Sequence, residues 1–268
     1  MGTGYEYDSP TKLTFPSCNR FTVPASIILD SDGNEKRLTA FSYFSVRRAL
    51  DNSVMFSVGS MIKWLGKKRD RRKDGLNDKI AESMKYVIDA GYVSVDDEFS
   101  TKTYMEGTFD LQAVSDECDG ERYATIYLDE LDKIVKCRCK AYSNVDVILL
   151  VFAYLRMMIY KRSNKFLPEQ SNVDEKRRNS PEVYDCHYKD IAEKTGVSVK
   201  RVMQAVDALV ELGLIYVEEL PRIKQNGKWM TNTSMFCNTY KREAGYLLAS
   251  GKDYYLAEIA NKKRKLRV

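Results

Sequence analysis

The sequence predicts a mainly α protein with small β hairpins, an α+β chain in which one helix, turn, helix, strand unit occurs twice in tandem. Three observations predict it. The segment Tyr188 to Glu219 reads as helix, turn, helix and strand. Its helix end Val210-Glu-Leu-Gly-Leu-Ile-Tyr-Val217 can be laid on Ile88-Asp-Ala-Gly-Tyr-Val-Ser-Val95, which sets Gly213 on Gly91. Carried backwards, that register puts Val202, Val206 and Leu209 on Ile80, Met84 and Val87, so an apolar stripe at helical spacing recurs without having been imposed.

The elements follow in order. Leu38 to Leu50 matches the long first helix of a unit, and Phe56-Ser-Val-Gly-Ser-Met-Ile-Lys-Trp-Leu-Gly66 matches the helix that ends at Gly196. The first turn is longer than the second by the eight residues Lys67 to Asp74, a basic insertion. Tyr123 to Leu128 has strand character, and Asp129 to Cys137 reads as a short helix. Val145 to Tyr160 is the long apolar helix that opens the second unit. Asn164 to Pro181 is polar, without apolar periodicity, and reads as a mobile loop. Ser198 is placed to cap the next helix, and Gly213 to end it in the left-handed conformation. Leu214-Ile215-Tyr216-Val217 is branched and aromatic, as strands are, and Pro221 to Lys228 is a basic loop from which Trp229 to Tyr240 returns as the partner strand. The boundaries expected are a first unit over 12–115 with its insertion at 67–74, a connector over 116–139, a second unit over 140–245, and a C-terminal helix and basic tail over 246–268.

The stretch Ile191-Ala192-Glu193-Lys194-Thr195-Gly196-Val197-Ser198, closing in Glu211-Leu212-Gly213-Leu214-Ile215, resembles the winged-helix family over roughly Ser143 to Tyr240. The chain is accordingly expected to hold two winged helix-turn-helix domains. In that family the helix after the turn enters the major groove of double-stranded DNA, while loops and wing meet phosphates. The resemblance implies base contacts from Lys200, Arg201 and Gln204, which lie away from the apolar stripe, and a phosphate contact from Ser198. Asp207 is expected to face solvent or pair with a neighbour. Arg222, Lys224 and Lys228, with Asn226, are the wing candidates for backbone or minor-groove contact.

The first unit departs from the pattern, because Asp78 and Glu82 stand where Lys200 and Gln204 stand in the second. Either it binds through Lys67, Lys68, Arg69, Arg71, Arg72 and Lys73, with Lys79 in the place of Arg201, or it serves as a dimerisation module. Tandem units of this size look like plasmid- and phage-type replication initiators of Gram-positive bacteria and their mobile elements. The part from Lys12 to Tyr92, with Phe15-Pro16 and Val23-Pro24, is similar to the N-terminal domain of some of them. The resemblance implies replication initiation, a homodimer and host replication proteins as partners. A transcriptional regulator of a mobile element and a protein-protein adaptor are the other readings.

Composition narrows the classes further. With 44% hydrophobic residues, 18 Tyr and 10 Phe the chain can bury a core. Its longest apolar run is interrupted by Asp146 and Arg156, so no membrane span is expected. The N-terminus lacks signal-peptide order and Glu6 spoils a myristoylation site, so the cytoplasm is expected. The net charge of +5 conceals three basic clusters, at Lys67 to Lys73, Lys176 to Arg178 and Lys262 to Arg267, the last read as a phosphate-binding tail. Six cysteines without C-x-x-C pairs, one histidine (His187, read as a capping or packing residue) and no P-loop spacing argue against a metal, a cofactor and the common nuclease or NTPase activities. No catalytic residue is expected.

Overall fold

Two short apolar segments that the sequence reading left unassigned begin the fold. β1 (Arg20–Pro24) pairs antiparallel with β5 (Tyr123–Tyr127), in a register that sets Phe21 opposite Ile126 and Val23 opposite Ala124. α1 (Ala25–Leu29) follows directly, and its last carbonyls are met by a buried arginine: Arg37 Nε donates to the Ile27 carbonyl at 2.7 Å and Nη2 to that of Ile28 at 3.2 Å. A helix this short leaves its carbonyls without helical partners, and the guanidinium supplies them. The structure, a computed structural model, describes residues 20–29, 35–70, 72–118, 122–139, 142–160, 183–219, 224–225, 228–229 and 234–238.

The first half continues with α2 (Arg37–Arg47), β2 (Ser53–Phe56), α3 (Val58–Trp64), α4 (Leu76–Asp89), β3 (Val93–Ser94) and β4 (Met105–Phe109). β4 lies between β2 and β3 in an antiparallel sheet. Ser57 and Ser60 cap α3 reciprocally, which fixes where the chain leaves β2. Ile80, Met84 and Val87 are fully buried, as their spacing predicts. They belong to an aromatic core in which Phe44 stands edge-on to Phe56 at 4.9 Å, Phe41 to Tyr92 at 5.4 Å, and half-buried Trp64 packs on Tyr43. α5 (Leu111–Cys118), also unassigned from sequence, packs on β1, and α6 (Leu128–Val135) follows β5.

The second half repeats the order: α7 (Val145–Tyr160), β6 (Val183–Cys186), α8 (Tyr188–Thr195), α9 (Val199–Glu211), β7 (Ile215–Glu219) and β10 (Ser234–Asn238), with β10 between β6 and β7. A small hairpin, β8 (Lys224–Gln225) with β9 (Lys228–Trp229), intervenes between β7 and β10. Each half therefore runs helix, strand, helix, helix, strand, strand, with the last strand central. Gly91 and Gly213 both sit at positive φ, +79° and +68°, just past the ends of α4 and α9, where an L side chain is strained and glycine is not.

α7 differs from the amphipathic helices around it because every side chain from Val145 to Ile159 is buried, Asp146 and Arg156 included. One side packs on α1, α2, β5 and α6, the other on α8, α9, β6 and β10. Arg156 donates from Nη2 to Glu130 Oε1 of α6 at 2.6 Å, and its guanidinium lies 5.0 Å from the Phe152 ring centroid. The two halves share one continuous core through this helix. The stretch 116–139, read from sequence as a connector, thus contributes β5 and α6 to that core and marks no break in the packing. The segments 161–182 and 239–268, which carry the predicted mobile loop, the C-terminal helix and two basic clusters, lie outside the described residues.

Candidate nucleic-acid interface

α9 owes its orientation to its sequence spacing. Val202, Ala205, Val206, Ala208 and Leu209 are buried against α7 and α8, and at 3.6 residues per turn this leaves Lys200, Gln204 and Asp207 on the opposite side. Lys200 and Asp207 are exposed and Gln204 is half-buried. Ser198 takes the N-cap position with extended backbone (φ −61°, ψ 146°), but its hydroxyl makes no capping bond to the helix and stays exposed. The first two turns of α9 thus carry an exposed lysine and a half-buried carboxamide, with an exposed hydroxyl and unsatisfied backbone N–H groups at the helix start.

Arg201 is placed differently from its expected role. It lies on the flank of α9, one position before the buried Val202, and its guanidinium makes a two-pronged ion pair with Glu35 of the first half, with Nη2 donating to Oε2 at 2.7 Å. Nη1 completes the fork with Oε1, and Nε donates to the Tyr142 hydroxyl at 3.2 Å. The Glu35 carboxylate raises the pKa of Arg201 above even its ordinary value, so the charge is permanent. The side chain that the sequence assigned to a base instead ties α9 to the first half. Sequence spacing does not reveal this, because Glu35 is 166 residues away.

The other flank of α9 carries Val199, Met203 and Val210, all exposed. The sequence reading assigned Val199 and Met203 no role, although the helical spacing that buries Val202 already turns them outward. Val199 and Met203 thus give the N-terminal half of the helix an exposed apolar flank.

The described residues of the basic insertion are tied into a hydrogen-bonded turn. Asp70 is its anchor: its N–H donates to Asn77 Oδ1 at 3.0 Å, its carbonyl accepts from the Asn77 N–H at 3.2 Å, and its carboxylate accepts from Arg72 Nε and Nη2 at 3.0 and 2.8 Å. The Arg72 hydrogen bonds hold the Asp70 carboxyl at about 2, well below its usual 3.8. Asp78, expected to repel phosphate, stays exposed while its carboxylate accepts from the Asp74 N–H at 3.0 Å in the first turn of α4, where the helix dipole favours an acid. Arg69 is folded across α3, so close to Gly59 that a Cβ there would meet its Nη2 at 1.9 Å. Lys68, Arg69, Arg72, Lys73 and Lys79 are exposed; Lys67 is half-buried, and burial lowers its pKa. Arg71 lies outside the described residues.

On the second hairpin, Lys224 and Lys228 fall in β8 and β9, in a register that pairs Lys224 with Trp229 and Gln225 with Lys228. Arg222 and Asn226 lie outside the described residues. The corresponding segment of the first half, between β3 and β4, carries exposed Asp96, Asp97 and Glu98. Outward on α4 stand Lys79, Glu82 and a Lys85–Asp89 ion pair at 2.9 Å, a mixed surface unlike that of α9.

No family model matches this chain, and neither does any curated protein sequence. His187 holds the N-cap position of α8, with its N–H donating to Asp190 Oδ2 at 2.9 Å. Cys137 and Cys139 are buried with sulfurs 2.8 Å apart, and burial pushes the Cys139 thiol up to about 12. Among the described residues no three His, Cys, Asp or Glu side chains converge as a metal site would need, and no helix is long and apolar enough to cross a membrane. A groove of about 920 Å³ between β1, β5 and α5, lined by Arg20, Arg48 and Asp116 among others, includes none of the residues discussed above as DNA contacts.

Proposed function

We propose that the chain binds double-stranded DNA sequence-specifically through two winged-helix domains and acts in the cytoplasm as a plasmid- or phage-type replication initiator. The observation that carries the DNA reading is the outer face of α9, where Lys200 and Gln204 project opposite a fully buried stripe, with Ser198 at the helix start. Lysine recognises the guanine edge and glutamine the adenine edge, and the exposed N-cap hydroxyl suits a phosphate. The winged-helix assignment is supported by the element order repeated in both halves, each with its last strand central and a hairpin after the second helix of the turn. Lys224 and Lys228 put positive residues in the hairpin of the second half.

The initiator assignment rests on the tandem arrangement; homodimerisation and docking to host replication proteins are the associations that go with it. A second reading, in which the first half binds protein instead of DNA, is favoured by exposed Glu82, Asp96, Asp97 and Glu98. Enrichment of a random duplex pool by the purified chain tests both parts. A recovered motif whose affinity falls steeply with salt is expected. Direct repeats near an origin support initiation, whereas one inverted repeat over a promoter makes the protein a transcriptional regulator. Failure to bind any duplex at physiological salt refutes DNA recognition and leaves an interaction module.

A further inference from the structure

We propose that the basic turn between α3 and α4 clamps the phosphates of the same stretch of duplex that α9 reads, so that the two halves form one composite DNA face. This rests on the reading of α9 as the base-contacting helix. Four observations carry it. The turn and the start of α9 border one junction: Lys67 lies within electrostatic reach of Asp146 and Lys36, Lys36 is ion-paired with Asp146, and the adjacent Glu35 holds Arg201 of α9. On the same border Arg138, which follows α6, brings its Nη2 to 3.4 Å from where a Gly66 Cβ would stand.

Second, the cations of the turn stand beside a surface of mixed and then acidic charge on their own half, because α4 carries Glu82 among Lys79 and the Lys85–Asp89 pair and the hairpin beyond it carries Asp96, Asp97 and Glu98. A duplex laid along that surface would meet carboxylates. Third, the Asp70–Asn77 and Asp74–Asp78 bonds preorganise the backbone from which Lys68 and Lys73 project, so binding need not order that backbone. Fourth, the shared core around α7 and the Glu35–Arg201–Tyr142 tie fix the turn relative to α9, which a composite face requires and independent reading heads do not.

The occupant is a single B-form duplex, with bases read by α9 and its flanking phosphates held by the turn. The test uses the full chain and a labelled duplex carrying the motif that the chain enriches, trimmed to about 14 base pairs, little more than one helical turn. The double variant Lys68→Gln, Lys73→Gln changes two exposed side chains and should melt as the wild type does. On this short duplex its plot of log affinity against log salt should be shallower by about 1.8, the share of two phosphate contacts, with base preference unchanged. A wild-type slope on the short duplex overturns the inference while α9 still reads bases. If the wild-type chain itself shows no preference for any duplex, the reading of α9 falls, and the composite face with it.

Discussion

Arg201 and Lys200 are neighbours in sequence with different surroundings, because one step along a helix turns a side chain by about 100°. Lys200 points away from the core, whereas Arg201 lies beside it, within reach of a carboxylate from the other half. The pair with Glu35 keeps 35% and 25% of its side chains exposed, so its coupling is discounted to about 1 kcal/mol. Arg201→Ala and Glu35→Ala should therefore lower stability by similar amounts, and the double variant should be little worse than either alone, as measured by denaturant unfolding. Their effects on DNA affinity should run in parallel as well. Were Arg201 a base reader, its alanine variant would lose base preference and Glu35→Ala would not.

At the scale of elements, the helices after both turns are legible in the sequence because each keeps an apolar stripe at 3.6-residue spacing and ends at a glycine that adopts positive φ. β1, α1 and α5 are not legible. β1 and α1 are five residues each, β1 pairs with a strand a hundred residues distant, and α5 buries Val114 alone along its length. The basic insertion is located by alignment of the repeat, but its order depends on Asp70 and Asn77, whose bonding has no periodic signature. Its pH response follows from the depressed Asp70 carboxyl. The ionised form steadies the turn, so that contribution is whole above the ordinary carboxylate value of 3.8 and is lost as pH falls through about 2; between pH 5 and 8 the turn should not change. By carboxyl NMR at about pH 3, Asp70 should remain ionised in the wild type and be measurably more protonated in Arg72→Ala, which loses the side-chain bonds but keeps the backbone N–H donated to Oδ1. Titration of Asp70 near its ordinary value in both would mean that the Arg72 bonds do not form in solution.

On the scale of the whole molecule, α7 is the decisive element. Its apolar run, broken only by Asp146 and Arg156, is plain in the sequence, but a helix buried on every side does not say how many neighbours share it. Here both halves do, and Arg156 and Glu130, at 2% and 1% side-chain exposure, pair within that core. The described part should accordingly unfold in one cooperative calorimetric transition, and two well-separated transitions would show that the halves are independent. The shared core fixes α9 and the basic turn relative to each other on a chain whose net charge is only +5, so the proposed DNA recognition would depend on where the cations are placed. The most direct test is equilibrium binding of Lys200→Ala and wild type to the enriched duplex and to single-base variants of it. The account predicts a loss of about tenfold or more for Lys200→Ala, with preference erased at one base pair and kept at the others. Wild-type affinity and an unchanged preference profile in Lys200→Ala would contradict it.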